Sequence, residues 1–205
     1  MPKNNLTEHL LKYNALSHKR LYWAELFSLA NADTFWGTVS DLLSKAQEQE
    51  FSNICQMLRD LVQVTPEDNR GEEILLRLHS STVITTLEEH GSSPSFHKRS
   101  VAIMTLGNIN SERSVDRLLS LFTQIKNTDP LLLKPLVMAV DILMPDSPHL
   151  KNMSNEMANA TSFFTRWAIL DILSSIGHTA DSDLMKFKYA ITSFLTKDKA
   201  LCVRE

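Results

Sequence analysis

Residues 51–62, FSNICQMLRDLV, decide the fold class of this 205-residue chain. Apolar side chains recur in this stretch every three or four positions, at Phe51, Ile54, Cys55, Leu58, Leu61 and Val62. The polar residues between and just after them, which the pattern assigns to a solvent-facing side, are Ser52, Asn53, Gln56, Arg59, Asp60 and Gln63. One apolar stripe beside one polar side is typical of an amphipathic α-helix that packs one face on a core.

The same helical spacing continues along the chain. Apolar residues repeat it at Val115, Leu118, Leu119, Phe122 and Ile125. We expect helices near residues 5–15, 18–30, 33–47, 49–64, 71–80, 82–89, 96–109, 112–126, 130–144, 150–159, 161–176 and 182–196. No segment keeps the strict alternation of a β-strand, and five glycines are few for the turns of an all-β chain. The sequence therefore predicts an all-α protein with a helical content above about two-thirds and no sheet.

Breaks between the predicted helices have chemical causes. Asp33 with Thr34 is expected to cap the helix that follows, and Ser111 is expected to cap a later one. Residues 91–94 are rich in turn-forming side chains. Pro135 interrupts an apolar segment, where it is either a first-turn proline or the cause of a kink.

Three of the predicted helices can be aligned on one another. They are residues 99–109, 136–143 and 166–176, separated by offsets of 37 and 30 residues. Matching apolar positions of the three helices are Ala102 and Leu106, Ala139 and Leu143, and Ile169 and Leu173. Each aligned helix has an amphipathic neighbour, so the predicted repeating unit is a helical hairpin.

Residues 99–107, RSVAIMTLG, resemble the second helix of a HEAT repeat. Residues 198–204, DKALCVR, resemble the Asp…Val-Arg turn that opens this helix in the HEAT family. The resemblance implies a right-handed α-α superhelix, a short HEAT-like solenoid of stacked helical hairpins. It would form a single repeat domain over 1–205, with degenerate repeats in 17–90 and clearer repeats in 91–205. An irregular helical bundle with chance periodicity is the alternative.

The charge balance argues against a nucleic-acid surface. The formal net charge is −3, whereas nucleic-acid surfaces normally show a clustered excess of lysine and arginine. By resemblance, the competing hypothesis is a HEAT-like DNA glycosylase, in which Arg166, Trp167 and Asp171 would take the inner-face roles. We expect a protein partner instead, so nucleic-acid binding is the less favoured function.

Membrane and secretion signals are not found in the sequence. The longest apolar run near the middle, residues 136–140, is five residues long, whereas a helix needs about 20 to span a bilayer. The first eight residues lack the continuous apolar core of a signal peptide. We therefore expect a cytoplasmic protein without a membrane partner.

Sequence motifs for catalysis, metals and cofactors are also missing. The chain has no Gly-rich phosphate loop, no Gly-x-Ser-x-Gly elbow and no His-Glu-x-x-His helix. His90 and His97 flank a loop, and we expect both to be solvated rather than metal ligands. Cys55 is expected to be buried, whereas Cys202 lies near the C-terminus. The prediction is a non-enzymatic chain that needs no cofactor.

The rows of the three aligned helices that avoid the core supply a candidate binding face. The side chains that we expect to contact a partner are Met104, Met138, Asp141, Phe164 and Asp171. Methionine and phenylalanine provide adaptable apolar contact, and the aspartates select a partner with a basic, partly apolar segment. Two other hypotheses for the aspartates are structural pairing between repeats and a pair of catalytic acids.

These expectations lead to a predicted function. The chain would be a non-catalytic protein–protein interaction module that binds a partner in the concave groove of a solenoid. A dedicated inhibitor or regulator of a partner enzyme is an alternative that the sequence does not separate. Trp23, Trp36 and Trp167 are expected to pack in the core or between repeats, with binding anchors as the alternative.

Overall fold

The computed structural model of the chain describes residues 7–8, 10–13, 26, 28–30, 32–65, 69–109, 111–144, 148–175, 182–200 and 203. Helices account for 82% of the structure, and no strand occurs among these described residues. The prediction of an all-α protein with more than about two-thirds helix is therefore confirmed.

Ten α-helices can be followed through the described ranges: α1 Asp33–Lys45, α2 Glu48–Val64, α3 Asn69–Ser80, α4 Thr82–His90, α5 Phe96–Asn108, α6 Val115–Ile125, α7 Leu133–Leu143, α8 His149–Ala158, α9 Phe163–Ser175 and α10 Ser182–Leu195. Short 3-10 turns precede α6 and α7, at Glu112–Ser114 and Pro130–Leu132. Each of these helices matches a predicted one, because helical periodicity marks long amphipathic segments. The predicted helix 18–30 lies largely outside the described residues, and of the predicted helix 5–15 the structure describes residues 7–8 and 10–13.

Serine side chains fix the starts of two helices in the first half of the chain. Ser81 accepts a hydrogen bond from a backbone N–H of the first turn of α4 at 3.3 Å, and Ser95 does the same for α5 at 3.2 Å. The first N–H groups of a helix have no partner inside it, so these bonds stabilise the first turn. The predicted cap at Asp33 is wrong, because Asp33 is itself the first residue of α1 and Ala32 occupies the N-cap position.

Two later helix starts also bear on the predictions. After Ser111 the chain first forms a 3-10 turn, which delays the start of α6 to Val115. The first-turn position of Pro135 is confirmed, because α7 begins at Leu133. Proline is tolerated there because the N–H that it lacks has no partner in the first turn of a helix.

The chain divides into two compact units, residues 1–114 and 115–205. In the N-terminal unit, α1 packs on α4 and α2 packs on α5, while α3 contacts both α1 and α4. In the C-terminal unit, α7 contacts α6, α8 and α9, and α8 contacts α9 and α10. Within each unit, one pair of consecutive helices therefore lies against another pair.

The apolar stripe of α2 lies in the core of the N-terminal unit. Phe51, Leu58 and Leu61 are fully buried, as the spacing predicts. The solvent-facing assignment of Asn53 is wrong, because this side chain is buried and its amide donates to the Leu11 carbonyl oxygen at 2.6 Å. Residues near the N-terminus cover this side of α2, and such a long-range contact is not encoded in helical periodicity.

The matching apolar positions of the three aligned helices are buried in both units. Ala102 and Leu106 of α5 are fully buried. The corresponding buried side chains of α7 and α9 are Ala139, Leu143, Ile169 and Leu173. Burial of the same positions in each helix agrees with the periodicity on which the alignment rests, and apolar burial at about 25 cal/mol per Å² stabilises each unit.

Candidate protein-interaction site

Large apolar side chains remain exposed at the start of α9 and in the turn before α7. Phe163 is 38% exposed, Phe164 55%, Trp167 49% and Leu131 71%. We call these four residues the aromatic patch. Soluble domains seldom expose several large apolar side chains together, and where they do, the patch often marks an interaction site.

Helical spacing brings the aromatic members of this patch together. Phe163 and Trp167 are four residues apart and therefore share one side of α9. The ring centroids of Phe163 and Phe164 lie 3.9 Å apart, with an angle of 33° between the ring planes. Ser162 accepts a hydrogen bond from the Thr165 backbone N–H at 3.4 Å, which stabilises the turn that carries these rings.

Helix α9 is apolar on more than one side, and only part of it is covered. Thr165, Ile169 and Ile172 are fully buried in the C-terminal unit. The Thr165 hydroxyl also donates to the Lys126 carbonyl oxygen at 2.6 Å. Because these contacts hold α9 in place, the exposed Trp167 on the same helix is preorganised for contact with a partner.

A cleft with a volume of about 270 Å³ adjoins the aromatic patch. The residues that line it are Pro130, Leu131, Lys134, Phe164, Trp167, Ala168 and Asp171. The Lys134 Nζ and an Asp171 carboxylate oxygen form an ion pair at 2.8 Å, and both side chains are nearly half exposed. An accessible pair of this kind contributes little to stability. The cleft therefore combines apolar walls with one positive and one negative group that a partner can reach.

Two of the five predicted binding residues, Phe164 and Asp171, line this cleft. Met138 and Asp141 lie on α7, and both are partly exposed. Met104 is partly exposed on α5 and belongs to the N-terminal unit. All five side chains thus reach the surface, as contact with a partner requires.

The two aspartates at matching positions of the aligned helices have different surroundings. Asp171 of α9 pairs with Lys134 of the neighbouring helix α7. Burial raises the pKa of the Asp141 carboxyl, and the nearby Lys188 ammonium partly offsets this effect. The ionised form of Asp141 is therefore disfavoured relative to a fully hydrated carboxylate.

The tryptophans divide between core and surface. Trp36 is buried and its indole N–H donates to the Ala30 carbonyl oxygen at 2.8 Å, which confirms the expected core packing. Trp167 is not in the core, and its exposure fits the alternative of a binding anchor. Trp23 lies outside the described residues.

Sequence reasoning missed two members of the aromatic patch, Phe163 and Leu131. A signal for Phe163 is present, since the apolar residues of α9 do not form a single stripe and a helix of that kind contacts other surfaces on more than one side. Leu131 gives no such signal, because it lies in a 3-10 turn of three residues.

Arg166, which the DNA-glycosylase hypothesis would direct at a substrate, is engaged within the C-terminal unit. Its guanidinium forms two bonds to the Asp198 carboxylate, and its Nη1 donates to the carbonyl oxygens of Ala160 at 2.7 Å and Thr161 at 2.9 Å. Both charged side chains of this ion pair are mostly buried. A larger cavity of about 480 Å³ adjoins them. Because the pair joins the start of α9 to the segment after α10, its arrangement favours a structural role.

One cysteine and two histidines of the N-terminal unit differ in their exposure to solvent. Cys55 is buried as predicted, and burial raises the pKa of its thiol to about 12, so the thiolate is scarce at neutral pH. His90 is only partly exposed, because its ring packs on Phe51 with the two ring centroids 4.6 Å apart, and burial lowers its pKa, so the expectation of a solvated ring holds in part. His97 is exposed as predicted and shares a 2.6 Å hydrogen bond with the Ser52 hydroxyl.

In the part of the chain that the structure describes, no group of three or more His, Cys, Asp or Glu side chains is arranged to hold a metal ion. None of the helices described there combines the length and the apolar character that crossing a bilayer needs. Cys202 lies outside the described residues. No protein-family model matches the chain, and no curated protein matches it either.

Proposed function

We propose that this chain is a non-catalytic protein–protein interaction module that binds its partner at the aromatic patch and the adjoining cleft. The exposed patch carries the proposal. Its four side chains leave about 400 Å² of apolar surface accessible, a size at which surface patches are often functional. Trp167 is the expected anchor, because tryptophan is enriched among the residues that carry the binding energy of interfaces.

For the architecture we propose a short HEAT-like solenoid of stacked hairpins, wound into a right-handed α-α superhelix. The packing order within each unit supports this proposal. In the N-terminal unit α1 packs on α4 and α2 on α5, and in the C-terminal unit α7 packs on α9 and α8 on α10. Stacked repeats have this order, because each hairpin contacts only its neighbour. Helix α3 would then be an addition between two hairpins.

Within the C-terminal unit the contact surface would extend from the cleft along α7 and α9. The residues proposed to contact the partner there are Met138, Asp141, Phe164 and Asp171, and Met104 is proposed as a separate contact of the N-terminal unit. Flexible methionines adapt to different apolar shapes, and the aspartates favour a partner with a basic, partly apolar segment. We propose that this interaction takes place in the cytoplasm and that it needs no cofactor.

The ionisable groups of the cleft support binding rather than catalysis. Lys134 and Asp171 neutralise each other at 2.8 Å. General acid or base catalysis uses a group whose pKa is tuned to the working pH, and nucleophilic catalysis uses a nucleophile beside an activating base. A mutually neutralising pair between apolar walls instead suits recognition of a complementary surface.

Quantitative affinity capture tests the proposed function. The baits are the wild-type chain, Trp167→Asp, and Tyr189→Asp as a matched control, since Tyr189 is an exposed aromatic residue on α10 outside the patch. We expect proteins captured by the wild type and the control to fall by about tenfold or more with Trp167→Asp. The Kd of a purified candidate is then measured with all three chains. Equal capture by all three would show that the patch is not the binding surface.

A further inference from the structure

We infer that the aromatic patch and cleft of one copy bind the same surface of a second copy, so that the chain forms a two-fold symmetric dimer through its C-terminal unit. This inference rests on the proposed function, because it names the partner of that surface. In a two-fold dimer each surface faces its own image, so the surface must be complementary to itself. The exposed area, the charges and the anchor residues each meet this condition.

The exposed apolar area is large enough for a dimer contact. The patch leaves about 400 Å² of apolar surface accessible on each copy. Two copies would bring roughly 800 Å² together, and protein interfaces are roughly 60% apolar. The complete interface would therefore bury about 1,300 Å², which lies at the lower end of the standard size for a specific complex.

The charges of the cleft are complementary to themselves. Lys134 and Asp171 have opposite charges, lie 2.8 Å apart and are each nearly half exposed. A two-fold axis beside this pair brings Lys134 of one copy towards Asp171 of the other, and symmetry supplies the reverse contact. A surface with a single dominant charge would repel its own copy, whereas this neutral pair can exchange partners across the axis.

A second copy also has the chemistry expected of the partner, a basic and partly apolar surface. Lys134 provides the basic group, and Leu131 and Trp167 in the same cleft provide the apolar contact. Each Trp167 would lose its exposed area on association, which is the situation of an interface anchor. Because Ile169 and Ile172 bury the opposite side of α9, the backbone that carries Trp167 is already ordered before association.

Sedimentation equilibrium of the full chain over a concentration series tests the inference. We expect the apparent mass to rise from 23.3 kDa to twice that value, with a midpoint on the order of 10 µM for an interface of this size. Leu131→Asp and Trp167→Asp change two different elements, and each should need at least about tenfold higher concentration to dimerise. Tyr189→Asp is the matched control and should dimerise like the wild type. Circular dichroism establishes that each variant is folded.

Charge-reversal variants test whether a second copy of the chain occupies the patch and cleft. Lys134→Glu alone places two acidic groups on each cleft, and Asp171→Lys alone places two basic groups there. Like charges would face each other in both homodimers, so each variant should dimerise on the order of tenfold more weakly than the wild type. In an equimolar mixture the new carboxylate of one chain faces the new ammonium of the other. The mixture should therefore form a heterodimer with nearly the wild-type affinity.

Three results would overturn the second copy as the occupant: a wild-type mass that stays at 23.3 kDa at every concentration, dimerisation that persists in both patch variants, or a mixture of charge variants that does not recover. The proposed function fails separately, when wild type and Trp167→Asp capture the same proteins. If the wild type stays monomeric but Trp167→Asp still captures fewer proteins, the dimer is excluded and the proposed protein-binding function stands.

Discussion

Phe51 in the N-terminal unit and Phe164 in the C-terminal unit are the same side chain in opposite surroundings. Phe51 is fully buried on α2, with the ring centroid of His90 at 4.6 Å and the Nζ of Lys98 5.6 Å from its own centroid. Phe164 is more than half exposed on α9, beside Phe163. The first ring therefore serves folding, whereas the second is accessible for association.

Polar contacts between helices differ in the same way. In the N-terminal unit, the hydroxyls of Ser40 and Thr86 share a buried 2.7 Å hydrogen bond between α1 and α4. In the C-terminal unit, the Lys134–Asp171 pair between α7 and α9 is accessible to water. A buried polar group that loses its partner is costly, whereas an exposed one exchanges its partner for water. Contacts of similar geometry therefore either hold helices together or remain accessible to a partner, depending on their burial.

The largest expected difference in stability is between the variants Phe51→Ala and Phe164→Ala. Phe51→Ala should lower the free energy of unfolding by about 3–5 kcal/mol, because it removes a fully buried ring and leaves a cavity. Phe164→Ala should change it by less than about 1 kcal/mol, because water already reaches most of that ring. Urea unfolding followed by circular dichroism measures both values. Equal losses would mean that Phe164 belongs to a core, and the contrast between the units would fail.

A second experiment tests whether burial also determines how much an ion pair contributes to stability within the C-terminal unit. Arg166→Met should lower the free energy of unfolding by about 3–5 kcal/mol, because it leaves the mostly buried Asp198 without its arginine. Lys134→Met removes one partner of the exposed pair and should cost less than about 1 kcal/mol. The same urea titration compares the two variants. A loss with Lys134→Met as large as that with Arg166→Met would make the cleft pair a structural contact.

A smaller, pH-dependent effect is expected from the packing of His90 in the N-terminal unit. Burial lowers the pKa of His90 below its ordinary value of 6.5. Between the lowered pKa and 6.5 the unfolded chain binds more protons than the folded one, so stability is lost as the pH falls through this range. His90→Gln should remove this loss, so its Tm should fall less than that of the wild type as the pH is lowered.

Thermal melts between about pH 7 and pH 5 check the prediction for His90. His97→Gln is the matched control, because it removes an exposed imidazole from the same unit. The contribution of His90 is the difference in Tm between the two variants at each pH. If His90→Gln and the wild type show the same pH dependence, burial of this ring is not the cause of the acid sensitivity.

The smallest effects are expected at the matching aspartates, and they should have opposite signs. Asp141→Asn should raise Tm slightly at neutral pH, because burial raises the pKa of the Asp141 carboxyl and an amide has no charge to desolvate. Asp171→Asn should lower Tm slightly, because it weakens the pair with Lys134.

The pH dependence of the Asp141 variant provides the check. The folded state holds the proton of Asp141 more tightly than the unfolded chain, so the wild type loses stability as the pH rises through the two pKa values. The advantage of Asp141→Asn should therefore be present at neutral pH and disappear in acid. If both Asp→Asn variants melted far below the wild type, structural pairing between repeats would explain the aspartates.

Some residues of the candidate site could be predicted from the sequence, whereas the arrangement of the others depends on long-range contacts. The aligned rows place Phe164 and Asp171 away from the core, and both side chains are exposed. The partner of Asp171 could not be found in this way, because Lys134 is 37 residues away on another helix. The sequence also did not determine whether Trp167 is exposed, since a tryptophan on an apolar helix suits a core as well as an interface.

The helical class, the positions of the helices and the burial of aligned residues such as Ala102 and Leu106 were predictable from the sequence. These properties follow from side chains three or four residues apart, which share one face of a helix. The burial of Asn53 and the exposure of Trp167 on α9 depend instead on how the helices pack. Exposure depends on which helix packs on which face, and those contacts join residues far apart in the chain, where local periodicity carries no information.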